Sequence, residues 1–364
     1  MGDGFAFRTV ANGDGAATLS DYGAQVLRWA PAGQPDVVWG PSSCYARRGE
    51  TLGGGVPIAF PWFGPGFANG RQTAKPLIHG FARLRTWLLD AESFTDRHIR
   101  YTLDAAQLEP GDSPWLGGDP DPRFSAIYDV EAGRALTMTL TVTNEGDAPF
   151  SYEAALHTYL HVGDVSGARL AGLRGADYLD ATREGYPACV QDDPEVAFGA
   201  HVDRVYDSDG PLELHDDVLG RVIRIAKSGS PQTVVWNPGQ PFGEPVNARE
   251  AGEWRTFVCV EAAVCRERAV RLAPGESYAL SQALEVLSDR SRLAVVPPLR
   301  RHGHGVLRFL ARESGDSRAK NLRTRRWAAP DASGCSSIVV LCGENAQALA
   351  FDRIDQSVGG VDAA

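Results

Sequence analysis

Residues 136–143 read Leu-Thr-Met-Thr-Leu-Thr-Val-Thr. Leu136, Met138, Leu140 and Val142 share one face and four threonines the other. Such period-two alternation predicts a half-buried β-strand, and Asn144-Glu145-Gly146-Asp147 supplies the turn after it. Shorter β-branched or aromatic runs recur at 25–30, 99–103, 151–160, 222–226, 232–236, 255–261 and 278–284, punctuated by Gly, Pro, Asp and Asn. No stretch before residue 290 sustains a capped 3.6-residue period, and there is no internal repeat. Many short strands with regularly spaced turns predict an all-β fold, an antiparallel sandwich.

One apolar stretch breaks the alternation. Residues 53–83 read GGGVPIAFPWFGPGFANGRQTAKPLIHGFAR. Pro57, Pro61 and Pro65 remove backbone donors and fix φ, and the glycines disfavour a helix. The run is too apolar for a solvated linker. An irregular aromatic segment ending in His79 and Arg83 suits the wall of a small-molecule pocket. A hydrophobic loop plugging one end of the sandwich fits the same composition.

The patterning changes near residue 289. Residues 289–327 hold eleven Arg or Lys against three Asp or Glu. The chain therefore divides into a domain over 1–288 and a basic, Arg-rich extension over 289–364. The extension reads either as a poorly ordered tail or as a basic patch for an acidic partner. Within it, residues 306–310 suggest a short amphipathic turn, and 336–352 a strand and a short helix.

Composition narrows the function classes. The 364 residues carry a net charge of −10, which argues against general nucleic-acid binding. No apolar run reaches membrane-spanning length, and Met1–Ala6 lacks the basic and apolar regions of a secretory signal. The six cysteines Cys44, Cys189, Cys259, Cys265, Cys335 and Cys342 form no CxxC pair. Reduced thiols in the cytoplasm are the expectation.

Few residues can carry chemistry. His157 lies in Ala-Leu-His-Thr-Tyr-Leu-His, on the face shared by Ala155 and Tyr159. A neutral core histidine is its ordinary reading. His161 completes an His-x-x-x-His spacing. Thr158 stands where the metalloprotease pattern needs Glu, and no third ligand is nearby, so no metal is expected. His302 and His304 form a weaker pair. Glu261 sits in Phe-Val-Cys-Val-Glu, a strand in which an unpaired carboxylate is costly to bury. It is either an exposed edge residue or a buried functional acid, and the apolar Phe257 and Cys259 on its face suggest the latter. Asp203-Arg204 alone reads as an ordinary ion pair.

Six segments in order resemble a known family: 54–64 (GGVPIAFPWFG), 79–83 (HGFAR), 155–164 (ALHTYLHVGD), 203–206 (DRVY), 234–238 (VVWNP) and 257–261 (FVCVE). They are similar to the D-hexose-6-phosphate mutarotases, or glucose-6-phosphate 1-epimerases, of the galactose-mutarotase-like superfamily. The resemblance covers about residues 5–288. It implies a large antiparallel β-supersandwich of the galactose-mutarotase type, with a sugar site in a cleft on the concave sheet. It also implies His157 as general acid and Glu261 as general base, with His79, Arg83 and Asp203 holding the sugar. No metal or organic cofactor is implied, and a cytoplasmic monomer acting on a sugar or sugar phosphate is expected.

The implied reaction interconverts α and β anomers of a hexose 6-phosphate. Glu261 takes the O1 proton, His157 protonates the ring oxygen, and closure onto the other face follows rotation about C1–C2. General catalysis of this kind contributes about 10²–10⁴-fold per group. A resting Glu⁻–His⁺ pair is expected, and Trp62, Phe63 and Trp236 are candidates to stack on the pyranose. One departure stands out. Phosphate-preferring members carry Arg immediately before the Gly-Gly-Ile/Val-Pro run, and here that position is Gly53. Arg47, Arg48, Arg71 and Lys75 are the nearest substitutes. An aldose 1-epimerase acting on unphosphorylated sugar, or a non-catalytic carbohydrate-binding module, therefore stays open.

Overall fold

The computed structural model describes residues 5–42, 47–75, 77–108, 122–242 and 251–287. The extension over 289–364, with its expected turn, strand and helix and with His302 and His304, lies outside the described residues. So do Cys44, Cys335 and Cys342.

Strands dominate, as the alternation predicts. A nine-stranded sheet runs in the order Glu195–Ala197, Ala168–Ala171, Leu212–Asp216, Arg221–Ser228, Ser277–Leu287, Ala135–Asn144, Phe124–Ala132, His98–Asp104, Leu88–Leu89. An eight-stranded sheet runs Ala188–Val190, Asp177–Asp180, Val202–Asp207, Gln232–Asn237, Phe257–Val264, Ala154–Leu156, Ile58–Ala59, and Tyr159–His161 also pairs with Phe257–Val264. Neighbouring strands in both sheets are antiparallel. A three-stranded sheet, Phe7–Asn12, Gly15–Ser20 and Gln25–Pro31, joins the eight-stranded one through the bridges Val26–Val56 and Val38–Leu160. No helix among the described residues is long and apolar enough to cross a membrane.

The core lies between the two large sheets. Leu136, Met138, Leu140 and Val142 are buried from one side, Val258, Val260, Ala262 and Val264 from the other. The threonines face outward, where Thr139 and Thr143 bond Ser281 and Ser277 of the neighbouring strand. One buried polar stitch crosses the core. Gln282 donates to the Val260 carbonyl and accepts from the Thr158 hydroxyl.

The run expected to be one strand over 151–160 is three: Phe150–Tyr152, Ala154–Leu156 and Tyr159–His161. The second break has a local cause. The Thr158 N–H donates to the carbonyl of Leu156, two residues back, at 2.8 Å, which makes a γ-type turn centred on His157. The stitch to Gln282 holds Thr158 there. His157 is thus lifted out of the strand ladder.

Candidate active site

The eight-stranded sheet turns one face to a cavity of about 270 Å³. Strand registers lay its side chains out in rows. Asp203 pairs with Trp236, Trp236 with Cys259, and Cys259 with Tyr159. In the next row Val205 pairs with Val234 and Val234 with Glu261. The pairings Leu156–Ala262 and Tyr159–Cys259 on either side place His157 opposite Glu261. Residues 104 apart in sequence are therefore brought face to face, His157 from the turn between two strands.

Their geometry is open rather than closed. His157 Nε2 lies 3.5 Å from Glu261 Oε1, too far for a strong hydrogen bond. Both Glu261 oxygens and His157 Nδ1 are buried with no hydrogen-bond partner, and so is Arg83 Nε. These are four of the six such atoms among the described residues. Native proteins rarely leave buried polar atoms unpaired, so their gathering on the cavity-lining His157 and Glu261 and on Arg83 behind them marks a place made for a polar guest. Tyr159 stacks on the His157 ring at 5.0 Å, and Trp236 meets it edge-on at 6.2 Å.

Electrostatics runs against the expected resting ion pair. Burial pushes the His157 imidazolium down to about 3, and the positive charge of Arg83 adds to the effect. Burial likewise raises the Glu261 carboxyl well above its ordinary range, aided by Asp203 and opposed by Arg83. Desolvation is the largest influence on each group, although the two lie only 3.5 Å apart. Burial thus favours neutral imidazole and protonated carboxyl over the charged pair. The number of protons is the same as in Glu⁻–His⁺; only their position differs.

His79 lines the cavity beside His157, ring to ring at 5.2 Å. Its backbone is left-handed, with φ +63. Gly64 clamps it twice, donating from its N–H to Nδ1 at 3.1 Å and accepting from the His79 N–H at 2.8 Å. Because Nδ1 accepts, the ring proton sits on Nε2. Burial and the neighbouring His157 and Arg83 keep the ring neutral. The next residue must be glycine: a Cβ at Gly80 would lie 2.0 Å from the Phe60 carbonyl oxygen.

Asp203 also lines the cavity, and burial with nearby Asp180 raises its carboxyl to about 6. The simple Asp203–Arg204 ion pair does not form. Arg204 instead bonds Gln191 and the Tyr206 hydroxyl and lies over the Tyr178 ring. Arg83 stands behind the lining rather than in it. One guanidinium nitrogen donates to the Ile78 carbonyl at 2.5 Å, and its charge is felt by His79, His157 and Glu261.

Of the three aromatic candidates, Phe63 and Trp236 line the cavity. Trp62 does not. It is buried, its indole N–H donates to the Leu77 carbonyl, and its ring packs edge-on against Phe81. Nor do the basic substitutes reach the site. Arg47 pairs with Glu50, Arg48 bonds Thr86, Arg71 is exposed, and Lys75 lies over the Trp62 ring. Gly53 is outside the lining, in left-handed backbone with φ +77. His161 turns elsewhere and bonds the Asp36 carbonyl.

Three lining residues with polar or charged side chains, Glu153, Tyr186 and Arg266, carry no signal in the sequence that marks them as part of the site. Glu153 is almost fully buried, and its two oxygens accept from the backbone N–H groups of Phe63, Phe67 and Arg266. It ties the aromatic loop to the exit of the Glu261 strand. Tyr186 and Arg266 carry positive φ, +53 and +56. With His79 they are three of the five non-glycine residues in that conformation among those described. Strain of this kind gathers at functional sites.

A family model described as aldose 1-epimerase matches residues 8–285. The chain is 29% identical over 246 residues to a Salmonella typhimurium protein named "Putative glucose-6-phosphate 1-epimerase", covering 67% of this chain and 78% of the relative. A Cenchrus ciliaris protein of the same name is 28% identical over 291 residues, 77% of this chain and 84% of the relative. Among solved structures, a "putative mutarotase" from Salmonella typhimurium superposes with a TM-score of 0.66 at 27% identity, over 79% of this chain and 92% of that one. An aldose epimerase homologue from C. elegans shares the fold at a TM-score of 0.59 and 13% identity, over 78% and 99% of the two chains. The two large antiparallel sheets are those of the galactose-mutarotase-like fold. The chain belongs to the aldose 1-epimerase family of isomerases.

Proposed function

We propose that this chain interconverts the α and β anomers of a hexose 6-phosphate by opening and closing the pyranose ring. The observation that carries the reading is the facing pair His157 and Glu261, 3.5 Å apart and otherwise unbonded, on the wall of a sugar-sized cavity. The reaction removes one proton from O1 and delivers one to the ring oxygen. A pair that shares a single proton suits that exchange.

Glu261 takes the O1 proton and His157 donates to the ring oxygen. The C1–O5 bond breaks, C1 becomes an aldehyde, and rotation about C1–C2 presents its other face. The charged form of the pair is reached once sugar hydroxyls bond the carboxylate and replace the water that burial removed. Arg83 favours the ionised Glu261. His79 Nε2–H and the Asp203 carboxylate supply a donor and an acceptor for ring hydroxyls, while Trp236 and Phe63 offer apolar faces to the pyranose. Each step is a proton transfer between side chain and sugar, so no metal or organic cofactor enters the proposal.

The 6-phosphate is supported by the names of the relatives. Gly53 favours a second reading, an unphosphorylated aldose. The proposal extends to a cytoplasmic monomer, and the free thiols Cys189, Cys259 and Cys265 suit a reducing compartment. NMR exchange between anomers separates the sugar readings. Faster exchange for glucose 6-phosphate than for glucose is expected, and acceleration of glucose alone would defeat the phosphorylated substrate.

A further inference from the structure

Arg266 plays no part in the proton transfers, yet it lines the same cavity as His157 and Glu261. Its backbone is left-handed, φ +56, a conformation that strains a side-chain-bearing residue. Three contacts hold it there. Its N–H donates to Glu153 Oε1 at 2.6 Å, and its guanidinium carbon lies 4.7 Å from the Phe67 ring centre and 4.6 Å from that of Tyr186. Tyr186 is itself in left-handed backbone, and its hydroxyl accepts from Gln72 at 3.3 Å.

Both rings lie within cation–π distance of the guanidinium, a contact that consumes none of its N–H donors. Its N–H donors lie in the plane and stay available. No carboxylate among the described residues forms an ion pair with it. Glu153, which feels its charge, already spends both oxygens on three backbone N–H groups. A strained, clamped cation with unspent donors on a cavity wall is built for an oxyanion.

Its place along the strand fits. Arg266 follows Glu261 by five residues, at most about 17 Å of extended chain, and both side chains reach one cavity. In a pyranose the exocyclic arm is carried by C5, the other neighbour of the ring oxygen, so an anion at its end can meet a second point on the same cavity wall.

Resting on the sugar reading of the cavity, we propose that Arg266 binds the anionic substituent of the substrate, a phosphomonoester on the exocyclic arm. It is a specificity-determining residue rather than a catalytic one.

Calorimetric titration of the whole chain with glucose, glucose 6-phosphate and glucuronate tests this, using wild type, Arg266→Gln and Arg266→Lys. Arg266→Gly, which relaxes the left-handed backbone, guards against misfolding. Wild type is expected to bind glucose 6-phosphate at least about tenfold more tightly than glucose. In Arg266→Gln and Arg266→Gly that ratio collapses toward one, and Arg266→Lys restores part of it. An unchanged ratio in the variants, or no preference in wild type, overturns the proposal. An Arg266-dependent gain for glucuronate but not for glucose 6-phosphate overturns the phosphomonoester. Anomer exchange on the same samples reports on the catalytic reading separately. An Arg266-dependent preference without exchange would support the anion site and defeat the epimerase.

Discussion

His157 and Glu261 face each other across adjacent strands, Nε2 to Oε1 at 3.5 Å, and neither Glu261 oxygen has a hydrogen-bond partner. Burial favours the neutral form of each. The pair therefore holds one proton over a wide pH range. A second proton must go onto His157, which resists until about 3. The shared proton leaves only above the ordinary carboxylate range, because the Glu261 carboxyl is raised.

The pH profile of anomer exchange should show this. Between pH 7 and pH 5 kcat is expected to stay flat. KM should rise as pH falls, because Asp203 takes up its proton near 6 and loses acceptor strength for sugar hydroxyls. Separate kcat and KM profiles check it. A kcat limb with a midpoint near 6.5, the value of an ordinary imidazole, would contradict the buried-pair account.

Asp203 carries a cost that substitution should reveal. Raising its carboxyl from 3.8 to about 6 costs the ionised form up to about 3 kcal/mol. The folded state binds this proton more tightly than the unfolded chain. Its contribution is therefore fully present below about pH 4 and is lost as pH rises through about 6. Asp203→Asn should stabilise the fold at pH 7.5 by up to that amount, leave stability at pH 4 nearly unchanged, and weaken sugar binding. Denaturant unfolding at the two pH values, with a sugar titration, tests the trade. Equal or lower stability at pH 7.5 would show that the carboxylate is not strained by burial.

Glu153 should matter for the shape of the site. Glu153→Ala leaves three backbone N–H groups, those of Phe63, Phe67 and Arg266, without their acceptor. A loss of about 3 kcal/mol or more of stability is expected, with weaker sugar binding in the molecules that remain folded. Thermal unfolding together with affinity decides it. A variant unchanged in both would remove Glu153 as the brace of the aromatic loop.

The parts that alternation encodes were legible in the sequence. Leu136 to Thr143 forms a two-faced strand, and Glu261 in its apolar run points to a buried acid. The shared face of His157 and Tyr159 is borne out by their stacking. What escaped depends on backbone shape and on register between distant strands. Arg266 reads as one charge among Cys-Arg-Glu-Arg, and only its positive φ and the Glu153 contact turn it to the cavity. Trp62 resembles its aromatic neighbours in sequence, but its indole N–H finds Leu77 and turns the ring into the core. The expected charges of His157 and Glu261 run against the effect of burial, because motifs show that the two are close and that Glu261 is buried but not how the two influences balance.

NMR exchange between the anomers of glucose 6-phosphate, with wild type and Glu261→Gln, tests the acid–base pair itself. Wild type is expected to exchange the anomers well above the rate in buffer, and Glu261→Gln should lose about 10²-fold or more while still binding the sugar. Wild-type exchange no faster than in buffer, or a Glu261→Gln variant as fast as wild type, would contradict the assignment of that pair.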